Sequence, residues 1–276
     1  MSPLLTLFMS NLAGLLSLAA MLHGLSRLGS AGRRLLEACA KAPLLDLIVF
    51  VLTMGPLLSG LAFWILSDDR SFMLLATSCG VALLAQSLAL VIWSKLHIIA
   101  HPDVRKGPRI VKSLNRAVGP VRNNFAVWWT ALAVPTFTMI RITEYFVYPV
   151  LVWTIRLPRY NAGEWVNVSR QKFSGLVGYD LIWCLYCDWM TGIWSLGSEM
   201  LRNIESFWCP IRYSSPEKCA NCVREFPDID HGWAHESTNI AEAARIVDAQ
   251  YPGPGGVNAW FGHPVRLTHE GRETKD

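Results

Sequence analysis

FAVWWTALAVPTFTMIRITEYFVYPVLVWTI, residues 125–155, is oily enough for a bilayer but carries two charges in its middle, Arg141 and Glu144. Whether it crosses a membrane decides on which side the rest of the chain lies. The two charged residues are three apart, so on a helix they would pair on one face and lower the cost of burying each other. Even so, a charge at mid-bilayer costs ~2.5–3.5 kcal/mol on insertion scales. The apolar pieces to either side, 125–140 and 145–155, each fall short of the ~20 residues that a crossing helix needs. Basic residues stand at both ends, Arg116 and Arg122 before, Arg156, Arg159, Arg170 and Lys172 after. A crossing would send one of these clusters outside. The segment 125–156 is therefore expected to form two interfacial or re-entrant helices, with a single tilted crossing as the alternative.

Upstream, three long apolar runs read as crossings: residues 3–22, 43–66 and 72–93. The first has no basic residue ahead of its apolar core and no clear cleavage site, so it is expected to be retained. The loop between the first two runs carries Arg27, Arg33, Arg34 and Lys41 against Glu37, and the next loop carries Asp68, Asp69 and Arg70. After the third run come Lys95, Arg105, Lys106, Arg109, Lys112, Arg116 and Arg122, the richest basic stretch of the chain. Basic loops stay on the cytoplasmic side, which places the N-terminus outside a bacterial inner membrane and residue 97 onward inside. The basic stretch is expected to hold the chain at an anionic bilayer face, each basic residue near the surface contributing ~1 kcal/mol. No nucleic-acid module accompanies it.

Composition agrees with a protein that is part membrane and part water-facing. Hydrophobic residues make up 52 % and charged residues 17 % of the 276, with a formal net charge of +4 and 12 tryptophans. That is too oily for an ordinary soluble domain and not oily enough for a bundle that spans throughout. The expected fold is a mostly α integral membrane protein. Three N-terminal transmembrane helices occupy 1–96, a basic cytoplasmic segment 97–124, and the interfacial or re-entrant segment 125–156. A small cysteine-rich cytoplasmic α domain with an irregular C-terminal segment follows over 157–276.

With 157–276 in a reducing compartment, its thiols are available for metal; were 125–155 to cross, disulfides would be expected instead. Five of the seven cysteines fall between 184 and 222. Cys184 and Cys187 form one pair with two residues between, Cys219 and Cys222 a second. Two such pairs match the ligand arithmetic of a tetrahedral zinc site. The surroundings of the first pair read as a helix, on which Asp180, Cys184, Cys187 and Thr191 share a face. The second pair sits in turn-forming sequence, SSPEKCANCVREFPD. Cys209 is an alternative fourth ligand, and His231 or His235 could complete the set. An iron–sulfur cluster is the competing use of these thiols.

Histidines recur at a spacing of four, His97 with His101 and His231 with His235, and His263 and His269 follow. This pattern raises a histidine-bound di-iron site, although such a site wants a larger supply of imidazole and carboxylate. Asn239 with Glu242 forms a capping pair that predicts a helix over 240–250, ended by YPGPGG. There is no phosphate loop, dinucleotide fingerprint or nucleophile elbow. The function expected on these grounds is a non-catalytic integral membrane subunit of a larger complex. Its zinc-stabilised cytoplasmic domain would serve assembly or docking, with other subunits, copies of itself and the lipid bilayer as partners. The alternative is a membrane-bound redox or oxygen-using metalloenzyme with an iron–sulfur cluster or iron.

Overall fold

The computed structural model describes residues 2–208, 217, 220, 237 and 239–250. Among the described residues the fold is helical, with no strand. Three helical runs are long and apolar enough to cross a membrane: Pro3–Leu25, Phe72–Ile99 and Pro120–Ile155. The first and second match expected crossings. The third contains the segment whose two charges argued for an interfacial position.

The expected crossing over 43–66 is not one straight helix. It is two, α3 (Leu44–Thr53) and α4 (Gly55–Leu66), bent by 54°. Pro56 is the cause. It has no amide hydrogen for the carbonyl of Leu52, and its ring crowds the preceding turn.

The chain divides into two compact units. The first comprises Met1–Thr138 and Val166–Thr191. Its centre is α5 (Phe72–Ile99), against which α1 (Pro3–Leu25) and α4 pack. Ser71 starts α5, its hydroxyl accepting from the Leu74 amide at 3.2 Å, and Ser2 caps α1 the same way. Where the neighbours approach, α5 presents Ser78, Ala82, Ala85 and Ala89, all buried. Small residues at this spacing let backbones come close, which drives helix association where lipid rather than water is the solvent. Gly60 completes the contact, since a Cβ there would lie 2.8 Å from Cys79 Cα.

Around this core the first unit adds α2 (Gly29–Cys39), α6 (Ile110–Val118) and α7 (Pro120–Thr130). Residues 40–42 pair with 166–168: the Ala42 amide donates to the Val166 carbonyl and the Val168 amide to the Ala40 carbonyl, each at 2.9 Å. The chain from 120 to 155 continues through a 3₁₀ turn, Ala131–Ala133, into α8 (Val134–Phe146) and α9 (Tyr148–Ile155). Both irregularities precede prolines. Pro135 cannot serve the Ala131 carbonyl, which accepts from the Val134 amide instead, and Pro149 cannot serve that of Tyr145.

The second unit comprises Met139–Trp165 and the chain from Gly192 onward. It holds the C-terminal part of α8, α9, the short α10 (Ala162–Trp165) and the C-terminal part of α11 (Tyr179–Trp208). Ile193 and Leu196 are wholly buried, and Met200, Tyr148 and Leu157 are buried too. The helix expected over 240–250 is present as α12 (Ile240–Gln250), with Asn239 Oδ1 accepting from the Glu242 amide at 3.1 Å.

Candidate functional site

The first half of α11 carries the first cysteine pair and an aromatic ladder. Trp183 stands edge-on to Trp128, Tyr179 and Tyr186 with ring centroids 5.6–5.8 Å apart, and Tyr186 stacks towards Trp189. Trp189 is buried and its indole N–H donates to Asp46 Oδ1 at 3.0 Å. Burial pushes the Tyr186 phenol up to about 12, and its hydroxyl donates to the Thr130 carbonyl at 3.0 Å. Burial also pushes the Tyr179 phenol up. Of these rings Trp189 is buried and the other four are half-buried.

Cys184 and Cys187 sit one turn apart on this helix as free thiols, Cys184 half-buried and Cys187 exposed. Burial pushes the Cys184 thiol up; Arg170 opposes that shift, while Asp180, Asp188 and Cys187 add to it. Cys187 Sγ is 4.0 Å from Thr191 Oγ1, as expected for one helical face. The two nearby carboxylates already have duties. Asp180 accepts from the Ile110 and Val111 amides, both at 2.9 Å, and so caps α6 from 69 or 70 residues away. Asp188 accepts from the Ser169 and Arg170 amides at 3.0 and 3.1 Å and pairs with Arg170 Nε at 3.0 Å.

A metal at Cys184 and Cys187 would thus take its other ligands from elsewhere in the chain. Cys209, Cys219, Cys222, His231 and His235 lie outside the described residues. Among the described residues no group of three or more histidine, cysteine, aspartate or glutamate side chains is placed to hold a metal ion.

Three histidines do meet in the first unit. His23 at the end of α1 stands edge-on to His97 and His101 of α5, with centroids 5.7 and 5.5 Å away, and the latter two are 4.3 Å apart. Each ring has a nitrogen committed. The Gly178 amide donates to His97 Nδ1 at 3.2 Å, and His101 Nδ1 lies 2.8 Å from the His97 carbonyl, to which it must donate. Arg27 Nη2 is 3.3 Å from His23 Nε2, which therefore accepts. The His97–His101 pair was legible as two residues one turn apart. Its third member, 74 residues before His97, had no signal in the sequence.

The second unit buries a polar network. Arg141 and Glu144, 4 % and 7 % exposed, form the ion pair that their spacing predicted. The Arg141 guanidinium also donates to the Tyr145 hydroxyl at 2.9 Å and lies over that ring, 4.2 Å from its centroid. Gly197 makes room for the carboxylate: a Cβ there would come within 3.0 Å of Glu144 Oε1. Nearby, Tyr148 donates to the Pro158 carbonyl at 3.0 Å, Asn203 Nδ2 reaches the Tyr160 hydroxyl at 2.5 Å and the Glu199 carbonyl at 3.0 Å, and Arg202 pairs with Glu199 at 3.6 Å. Ion pairs held this deep lock geometry when every member finds a partner. Sequence reading found Arg141 and Glu144 and missed the tyrosine and asparagine members.

No family model, no curated protein and no solved structure matches this chain.

Proposed function

We propose that this chain is a non-catalytic integral membrane subunit of a larger assembly. Its apolar helices anchor it, and a zinc ion held by Cys184, Cys187, Cys219 and Cys222 staples α11 to the C-terminal region. The observation that carries the staple is the state of the first pair: two free thiols one turn apart, one exposed, beside carboxylates already used for capping and turn closure. Sulfur ligands so placed are open to a metal and closed to nearby acids.

Support for a non-catalytic role comes from the work that the buried and half-buried polar groups do. Gln86, Asp46, Asp180 and Asn203 each close a backbone group or hold another side chain. Support for docking comes from α11, where Leu201 and Trp208, one heptad apart, are 63 % and 56 % exposed. That is a wasteful placement for large apolar groups without a partner or lipid to meet them.

Metal analysis of the full chain purified in mild detergent tests the proposal. One zinc per chain, lost in a Cys184→Ser/Cys187→Ser variant, is the expected result. Brown protein with iron and acid-labile sulfide would overturn the zinc staple in favour of an iron–sulfur redox protein. Iron without sulfide would favour a histidine-bound oxygen-using centre. Co-purification of stoichiometric partner subunits tests the assembly half separately.

A further inference from the structure

We propose that α6 is an interfacial helix that seats this chain on an anionic leaflet, its apolar edge among acyl chains and its basic edge among phosphodiester headgroups. This rests on the membrane reading and goes further, assigning a lipid class to one nine-residue helix.

Three edges of α6 have different chemistry. Ile110, Leu114 and Val118 recur every fourth residue along one edge and are 49 %, 45 % and 52 % exposed. At ~100° per residue, Lys112 and Arg116 fall on the opposite side, and both are exposed. The third edge faces the unit. Asn115 and Val111 are half-buried there, and Asn115 Oδ1 accepts from Asn123 Nδ2 at 2.8 Å. With its first turn gripped by the Asp180 carboxylate, the helix cannot roll to hide the apolar edge.

Two further observations name the bilayer as what covers that edge. First, α6 is joined through Gly119 alone, at φ 90°, to Pro120, where the 36-residue apolar run Pro120–Ile155 begins. The exposed apolar edge continues into that run with Val121 and Phe125, 81 % and 64 % exposed. A helix one residue from the start of so long an apolar run lies at headgroup depth by covalent constraint, whether that run crosses the bilayer or lies in its interface. Secondly, the charge is one-sided. Between Asp103 and Arg141 there is no acidic residue, while Arg105, Lys106, Arg109, Lys112, Arg116 and Arg122 supply six cations. Arg109 is spent on the Val104, Arg105 and Pro108 carbonyls, at 3.0–3.1 Å, which fold the preceding turn. The others are exposed. A basic, amphipathic helix of this kind binds through apolar area plus attraction to anionic lipid. Nucleic acid would engage the cations and leave the apolar edge in water.

Hydrogen–deuterium exchange on the full chain in nanodiscs gives the test. Amides of 110–118 should exchange at least about tenfold more slowly in phosphatidylglycerol discs than in phosphatidylcholine discs, since two or three headgroup contacts are at stake. The difference should vanish in 0.5 M salt and in a Lys112→Gln/Arg116→Gln/Arg122→Gln variant. Equal exchange in both lipids overturns the proposal, as does protection in phosphatidylcholine discs produced by an added DNA duplex. A chain that survives alkaline carbonate extraction yet shows no lipid dependence at α6 overturns this inference alone. One released by carbonate overturns the membrane reading with it.

Discussion

Gln86 donates from its side-chain amide to the carbonyl of Leu52 at 2.6 Å, the carbonyl four residues before Pro56 that a proline cannot serve. The same nitrogen reaches the Thr53 carbonyl at 3.3 Å. A single polar side chain on α5 thereby replaces the amide lost where α3 and α4 bend, and holds the bend against the helix that carries it. In an apolar setting an open carbonyl is expensive, so the broken helix and the glutamine belong together.

Gln86→Leu should lower stability by about 1–3 kcal/mol, the cost of an acceptor left open in an apolar setting. In a Pro56→Ala background, where residue 56 regains its amide, the same substitution should cost less. Thermal unfolding of the four proteins in one detergent measures the coupling. Equal losses in both backgrounds would show that Gln86 does not answer Pro56.

Arg141→Leu should cost about 3–5 kcal/mol by stranding a buried carboxylate. Arg141→Leu/Glu144→Leu should recover most of that loss, because an apolar pair of similar volume needs no compensation. A double variant as unstable as the single one would mean that Glu144 has a duty beyond its arginine.

Gly178 is held at φ +60° against α5, where an added Cβ would lie 2.7 Å from Ile98 Cδ1 and 2.8 Å from the Ser94 carbonyl oxygen. Both the left-handed backbone and the close approach require glycine. Gly178→Ala should therefore lose its hydrogen bond to His97 and cost about 1–3 kcal/mol. A melting temperature unchanged from the parent would contradict the close packing at this junction.

Burial favours the protonated forms of Cys184 and Tyr186, so the folded chain holds these protons to higher pH than the unfolded chain does. Their contribution to stability is complete below the ordinary thiol and phenol ranges and is lost as pH rises through the folded values, about 12 for Tyr186. Phenolate absorbance should show a late-titrating tyrosine that disappears in Tyr186→Phe. In metal-free protein at pH 8, peptide mass spectrometry after brief alkylation should find Cys187 modified ahead of Cys184. The reverse order would rule out the burial assigned to Cys184.

What could be read in the sequence was local. The Asn239 and Glu242 cap predicted α12 to its ends, the Arg141 and Glu144 spacing predicted their pairing, and the helical reading around Cys184 and Cys187 agrees with α11. Each depends on residues within one or two turns, where helical period alone fixes who meets whom. Pro56 was visible too, but the apolar run around it outweighed it, and the 54° bend was missed. The metal set proposed from cysteine spacing was legible only as a pattern, because Cys209, Cys219 and Cys222 lie outside the described residues.

By itself, then, the order of residues determined a helical chain with runs apolar enough for a bilayer, its caps, and one buried charge pair, since short-range sterics and hydropathy suffice for these. Tertiary structure alone decided that Gln86 mends the kink at Pro56, that Asp180 caps α6 and that His23 joins His97 and His101. Those partners are 34 to 78 residues apart. No period or propensity links positions that distant; only the packing of whole helices brings a donor to the acceptor that lacks one.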